Sequence, residues 1–442
     1  MNLKNKKVVV VGFGKTGFDV AQFLLRKNAK VFITDIDTGE EKYENLKKLN
    51  GKVEFEFGSH TPEFFKDKDL VVISPGINEN VLPEIVREEK IPVISEIELA
   101  YLFSPSKKII GITGTNGKTT TTLLTGNIFK FSPFDFVVCG NIGNTFIGEV
   151  DNIKKDTYII IEISSFQLEK IEKFKPFIGV ILNIADDHFD RYSDFSQYVK
   201  VKEKLFLNKE ENTWAVLNGD DKNCFKIWKV LTGKKLVFGF LSSFDIYFKD
   251  GFIYSGNEKI IDFNKTKLSG KGNIYNVMAA VSIGKICNIK KEIIEKAIVS
   301  FTPPEHRMEK VREIEGVIFI NDSKATNPHA VKNALESLPD GKVILLMGGL
   351  DKGLSFSSLK EIVKRKVKAL VLFGKAKEKI GKELKIEKIK KVETLEEAVE
   401  VAYSVSEKGD IVLLSPGCAS FDQFKNYKER GNVYKRKVSN IL

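Results

Sequence analysis

Cysteine is scarce: four residues (Cys139, Cys224, Cys287 and Cys418), far apart, with no CxxC pair and no Cys/His cluster. That pattern excludes a disulfide framework and a zinc ribbon, and it predicts reduced thiols and a cytoplasmic protein. Only 12 prolines accompany 33 glycines, which excludes collagen-like and proline-rich chains. No apolar run approaches the roughly 18 residues of a membrane span. The apolar stretch at 8–11 follows a few lysines but breaks at Gly12 without a small-residue cleavage site, so no leader peptide is expected. Arginine is scarce as well. It supplies eight of the 70 basic residues, and the 62 lysines interleave with glutamate, as in EEKYENLKKLNGK. The net charge of +11 therefore reads first as a solvated surface, and no nucleic-acid partner is expected.

What remains is a globular chain of 442 residues, long enough for two to four domains at roughly 100–200 residues each. Short β-rich runs alternate with helical stretches throughout: KKVVVVGFG, AKVFITD, LVVISPG, PVISE, KIIGITG, FVVCGN, YIIIEIS and FIGVILNI. Near-continuous Val/Ile, without apolar/polar alternation, predicts strands buried on both faces of parallel sheets, hence an α/β fold. A new strand series begins after ELAYLFSPS, and Thr302-Pro303-Pro304 stops a helix. Three domains are expected, at 1–97, 98–302 and 303–442, carrying net charges of −1, +5 and +7. Strands at 317–321, 343–347, 369–373 and 410–415 open the last βα series.

Two glycine-rich turns carry the chemistry. GFGKTG at 12–17 follows a strand, opens a helix and precedes Asp35 at the end of the next strand. This is the dinucleotide-binding fingerprint, a phosphate-friendly turn that fits NAD or another nucleotide. GITGTNGKTT at 111–120 also joins strand to helix. Gly114 and Gly117 let backbone N–H groups face phosphate oxygens, Lys118 neutralises them, and the Thr119 hydroxyl suits Mg²⁺. The turn departs from the standard phosphate loop at Ile112, where the first glycine belongs. Asn141, Glu162 and His188 follow three further strands, and ligands collect at such strand ends. A buried acid such as Glu162 is costly unless paired or bound to metal.

In order, GTNGKTT, GNIG, EISSFQL, NIADDHFDRY, GKGNIYN, PEHRME, NDSKATN, GGLDKG and SPGCASFDQF resemble the Mur ligase family of cell-wall synthesis, over essentially the whole chain. The resemblance implies three domains: Rossmann-like at each end, with a phosphate-loop ATPase sheet between. It also implies an ATP-dependent amide ligase, which activates a carboxylate as an acyl phosphate. GFGKTG with ISPGI and the carboxy-terminal SPGCASFDQFKNYKERG resemble the branch that adds D-glutamate to UDP-N-acetylmuramoyl-L-alanine.

The resemblance then implies the following site. Gly114, Thr115, Asn116, Gly117, Lys118, Thr119 and Thr120 hold the ATP phosphates, with Asn273, Asn276, Arg307 and Asp322 around the nucleotide. Thr119, Glu162 and His188 hold two Mg²⁺ ions together with Lys202, which the family carries as a carbamate. Gly14, Lys15, Thr16, Gly17, Asp35, Ser74, Pro75, Gly76, Asn141, Ser164 and Gln167 receive the UDP-sugar. Lys324, Thr326, Lys352, Ser420, Phe421 and Tyr427 receive D-glutamate. Lys118, His188, Lys202, Arg307 and Lys324 are the catalytic set, in a protein expected to be monomeric. Three other readings stand beside this one. A relative adding a different amino acid is the nearest, although the Asp-Asn-Pro-Arg segment of the diaminopimelate- and lysine-adding members is missing. An NAD-dependent oxidoreductase rests on the first turn alone. A basic nucleic-acid-binding NTPase rests on charge alone.

Overall fold

The Val/Ile runs do form strands covered on both faces. In the computed structural model, which describes all residues except 50, 188–190, 193, 387 and 442, they build three sheets. The first is parallel and contains β1 (Lys7–Val11), β2 (Lys30–Asp35), β3 (Val53–Phe57), β4 (Leu70–Ile73) and β5 (Val93–Ser95), in the order β3-β2-β1-β4-β5. The second contains β6 (Ile109–Thr113), β7 (Phe136–Gly140), β8 (Tyr158–Glu162), β9 (Ile178–Ile181), β10 (Trp214–Asn218), β11 (Lys235–Gly239), β12 (Ile246–Lys249), β13 (Phe252–Ser255) and β14 (Glu258–Asp262). Its order is β14-β13-β12-β11-β10-β9-β6-β8-β7. The third contains β15 (Glu309–Ile314), β16 (Val317–Asn321), β17 (Val343–Gly348), β18 (Val367–Phe373), β19 (Ile389–Lys391) and β20 (Ile411–Gly417), in the order β15-β16-β20-β17-β18-β19. Among the described residues, no helix is long and apolar enough to cross a membrane.

The parallel pattern breaks in two places. β12, β13 and β14 are antiparallel hairpin strands, and β15 is antiparallel to β16. The turns explain both. Asp250-Gly251 and Glu315-Gly316 take positive φ at both residues, which matches the twist of a two-residue hairpin. β3, by contrast, is an edge strand reading Val-Glu-Phe-Glu-Phe, whose alternation escapes a search for continuous apolar runs.

The cores divide the molecule unevenly. Val8 and Val10 of the first sheet and Phe23 of the helix Lys15–Arg26 share one buried cluster with Ile159, Ile161 and Ile181 of the second sheet. The helix Glu96–Phe103, in which the expected 97/98 boundary falls, contributes Ile97, Leu99, Ala100 and Tyr101 to that cluster. The third sheet has its own buried clusters on its two faces, around Leu345 and Leu413 and around Ile344 and Val412. The first two sheets are thus joined by apolar packing, while the third meets them through polar side chains.

The fingerprint turn of the first sheet is held by contact distance. A Cβ at Gly17 would lie 1.9 Å from the Gly12 carbonyl oxygen, because the helix Lys15–Arg26 starts directly against the strand end. A Cβ at Gly14 would meet nothing within 4 Å. Gly17→Ala is therefore expected to destabilise the protein by about 1–3 kcal/mol through overpacking, read as a lower urea midpoint. Gly14→Ala is expected to leave that midpoint unchanged.

Candidate active site

β6 ends at Thr113, and the chain turns through 114–117 before the helix Lys118–Lys130. Gly117 opens that helix at φ 88°, and a Cβ there would strike Asn276 Oδ1 at 2.3 Å. The turn is tied to β9's exit: the Asn116 N–H donates to Asn183 Oδ1 at 2.8 Å, Asn183 Nδ2 returns a bond to the Asn116 carbonyl at 3.0 Å, and the Thr115 N–H donates to the Asn183 carbonyl at 3.0 Å. Lys118 folds back over the turn, donating to the carbonyls of Gly114 (2.7 Å) and Thr115 (2.9 Å). From the helix Lys271–Ile286, Asn276 accepts from the Thr121 hydroxyl at 3.2 Å and donates to Asn273 at 3.1 Å. Asn116, Gly117, Thr120, Asn273 and Asn276 form one wall of a cavity of about 380 Å³. Arg307, Asp322 and Lys324 from the other side of the domain junction form the opposite wall.

At the bottom of this junction lies a carboxylate. Glu162, at the carboxyl end of β8, is 3% exposed. Its Oε1 accepts from Asn141 Nδ2 at 2.8 Å, and its Oε2 is buried with no hydrogen-bond partner among the described residues. Cations surround it. Its field acts on Lys118, Arg307 and Lys324, and these three cations also act on one another. Burial, and then the Arg307 charge, pushes the Lys324 ammonium down to about 7; Nζ lies 3.8 Å from the Tyr427 ring centroid. Burial also pushes the Asp322 carboxyl up to about 7, opposed by the Ser415 hydroxyl (2.9 Å) and by Arg307.

Lys202 stands apart from every surface lysine. It is 1% exposed, on the helix Phe195–Glu203, and its Nζ donates to Thr113 Oγ1 at 3.4 Å. Burial, reinforced by the nearby Lys118 charge, pushes its amine well below the ordinary lysine range. Thr119 is half-buried in the first turn of the phosphate-loop helix. His188 lies outside the described residues.

The third sheet reaches this centre through polar contacts. Asn327 donates to Asp187 at 3.0 Å, Lys352 Nζ lies 3.4 Å from Asp187 Oδ1, and His329 Nδ1 lies 2.9 Å from Asn116 Nδ2. Of the residues expected to receive an amino acid, Lys324 and Tyr427 are in contact, Lys352 points toward the central sheet, Thr326 is half-buried and Ser420 is buried. Phe421 is 69% exposed. His329, Asn183 and Asn327 were not among the expected site residues, although Asn183 opens NIADDHFDRY and Asn327 closes NDSKATN. NPHA after the NDSKAT motif carried a signal, since a histidine among so few in a polar motif is unusual.

A second cleft, of about 500 Å³, opens between the first two sheets. Gly14, Lys15, Thr16, Asp35, Ser74, Pro75, Gly76, Asn141 and Gln167 line it. Asn141 thus reaches both the cleft and Glu162. Gly17 is buried beneath this wall, and Ser164 caps the short helix Ser165–Leu168, bonding to Gln167. Asp35 already accepts three hydrogen bonds, from the Phe13 N–H (2.6 Å), the Asp37 N–H (3.0 Å) and Lys42 Nζ (2.7 Å). Burial alone would raise its carboxyl; the Lys42 ammonium and the two N–H donors more than offset this and hold it below the usual range. Lys42 also lines the cleft, placing a basic group beside Asp35 there.

Comparison with known proteins follows this division. The Mur ligase MurD-like N-terminal domain matches residues 6–95, the Mur ligase middle domain residues 112–284, and the Mur ligase glutamate ligase domain residues 306–418. A UDP-N-acetylmuramoylalanine--D-glutamate ligase of Koribacter versatilis is 41% identical, over 99% of this chain and 98% of that protein. The ligase of the same name from Clostridioides difficile is 38% identical over the full length of both. Among solved structures, a pseudomurein peptide ligase type C of Methanothermus fervidus has a TM-score of 0.64 at 20% identity, covering 99% of this chain and 100% of that one. MurF ligase of Thermotoga maritima in complex with ADP has a TM-score of 0.64 at 17% identity, covering 99% and 96%. With a relative 41% identical over nearly its whole length and all three domain types in order, the chain belongs to the Mur ligase family.

Proposed function

We propose that this chain is an ATP-dependent ligase that joins D-glutamate to UDP-N-acetylmuramoyl-L-alanine. The observation that carries the reading is the meeting of two clefts at one side-chain pair: Asn141 lines the cleft between the first two sheets and hydrogen-bonds Glu162, whose field reaches Lys118, Arg307 and Lys324 at the phosphate-loop cavity. A nucleotide-sugar in one and ATP in the other bring an acceptor carboxylate to a γ-phosphate.

On this reading the L-alanyl carboxylate attacks the γ-phosphorus; an O–P bond forms as the bond to ADP breaks. The D-glutamate amine then attacks the acyl carbon, and phosphate leaves from the tetrahedral oxyanion. This chain's contribution is positioning and charge neutralisation. Lys118 exchanges its loop carbonyls for phosphate oxygens. Arg307, on the segment between the second and third sheets, spans phosphate oxygens with its planar fork. Lys324, held against Tyr427, meets a D-glutamate carboxylate, with Thr326, Lys352, Ser420 and Phe421 around it. Asn273 and Asn276 brace the loop under the nucleotide, and Asp322 faces Arg307 across it.

Mg²⁺ fits this centre, because the buried Oε2 of Glu162 has no hydrogen-bond partner among the described residues and is a hard oxygen donor. Glu162, Thr119, His188 and a carbamate on Lys202 would hold it, and the metal would neutralise the phosphate oxygens. An amine adds to CO₂ in its neutral form, which the burial of Lys202 favours, and loses a proton as the N–C bond forms. The product is an anion where a cation is least welcome.

Three outcomes are expected. Phosphate release with ATP, Mg²⁺ and UDP-N-acetylmuramoyl-L-alanine should occur with D-glutamate and not with L-glutamate, L-lysine or diaminopimelate. Equal release with all four would overturn the assignment. Lys202→Ala should lower kcat/KM by roughly a hundredfold or more, with partial recovery in formate or acetate; full activity without additive would remove the carbamate. Because Lys324 titrates at about 7 in the free protein, its ammonium is present below that pH and lost above it. KM for D-glutamate should therefore rise as pH climbs through 7, and Lys324→Met should flatten that dependence in initial-rate profiles.

A further inference from the structure

Arg191 belongs to the central domain, three residues along the chain from His188, yet it grips the first domain. Its side chain is 11% exposed. Nε donates to Glu169 Oε1 at 3.0 Å and Nη2 to Glu169 Oε2 at 2.5 Å, while the Tyr192 hydroxyl donates to the same carboxylate at 2.8 Å. The guanidinium carbon stands 4.7 Å from the Phe166 ring centroid. The other edge of the guanidinium crosses the domain junction: Nη2 donates to the Ile77 carbonyl at 2.8 Å and Nη1 to the Gly76 carbonyl at 3.4 Å.

Gly76 and Ile77 line the cleft between the first two sheets, whereas Arg191 is not part of its wall. Two residues earlier, the Ser74 hydroxyl donates to the Gly12 carbonyl at 2.8 Å, so this turn also braces the fingerprint turn. A planar guanidinium serves a carboxylate on one edge and carbonyls on the other, an arrangement that an ammonium cannot reproduce.

Resting on the reading of this cleft as the nucleotide-sugar pocket, we propose that Arg191 is a positioning residue for that substrate. It ties the 74–77 turn to the central domain, with Glu169 as its anchor, and so holds the sugar nucleotide in register with the Glu162 centre. No nitrogen of Arg191 needs to touch the ligand.

The test uses the full chain. Equilibrium binding of UDP-N-acetylmuramoyl-L-alanine to the unaltered protein comes first; failure there sinks the functional reading and is distinguishable from failure of this one. Initial rates are then measured with each substrate varied in turn. Arg191→Ala is expected to raise KM for the sugar nucleotide roughly ten- to a hundredfold, as loss of hydrogen bonds from a charged donor implies. KM for ATP and for D-glutamate should stay within about twofold, since their ligands lie elsewhere. Added guanidinium should recover part of the loss in Arg191→Ala and none in Glu169→Gln, which should show a smaller shift of the same kind. If Arg191→Ala does not fold, Arg191→Lys and Glu169→Gln carry the same comparison. An unchanged KM for the sugar nucleotide, or equal shifts for all three substrates, would overturn the proposal.

Discussion

Everything at the centre of this molecule follows from one buried carboxylate. Glu162 ends an otherwise apolar strand, and taking its charge out of water costs several kcal/mol unless partners restore what water supplied. Asn141 satisfies one oxygen. The other has no hydrogen-bond partner among the described residues, and the charges of Lys118, Arg307 and Lys324 compensate it through space. Those cations in turn repel one another, and burial already drives Lys324 toward neutrality. Lys118, Arg307 and Lys324 crowd one another as well as Glu162, and a bound polyanion would relieve that repulsion.

The way the domains are joined distributes rigidity around that centre. The first two share an apolar cluster, which resists relative movement because separating them would expose buried surface. The third domain reaches the centre through Asn327, His329 and Lys352, whose polar contacts exchange with water at little cost. The third domain is therefore the one least firmly held against the other two. The Arg191–Glu169 pair strengthens the rigid side of that division.

Much of this was legible in the residues. Continuous Val/Ile runs gave away the parallel strands, and glycine spacing marked both turns, because the backbone demands of those features fall on local sequence. The antiparallel additions carried local signals too, in Asp250-Gly251 and Glu315-Gly316, but hairpin turns are overlooked when only apolar runs are followed. Lys42 illustrates a deeper limit. It lies on the helix after β2, and nothing in its own segment distinguishes it from the many surface lysines; only the fold sets its ammonium against Asp35. Asp35 shows the reverse, since a residue read as a ligand group spends its oxygens on Phe13, Asp37 and Lys42.

The sequence by itself determined the α/β architecture, both phosphate-type turns and the family, because each rests on short-range order: strand periodicity, glycine at a fixed offset, motifs in sequence. Tertiary structure alone decided which charges meet. Lys202 is one lysine among 62 until its helix packs under β6 and removes its water. Arg191 is one of eight arginines until the first two sheets come together and bring Gly76 and Ile77 within its reach. Burial and pairing are properties of surfaces brought together from distant parts of the chain, and local sequence carries no record of that distance.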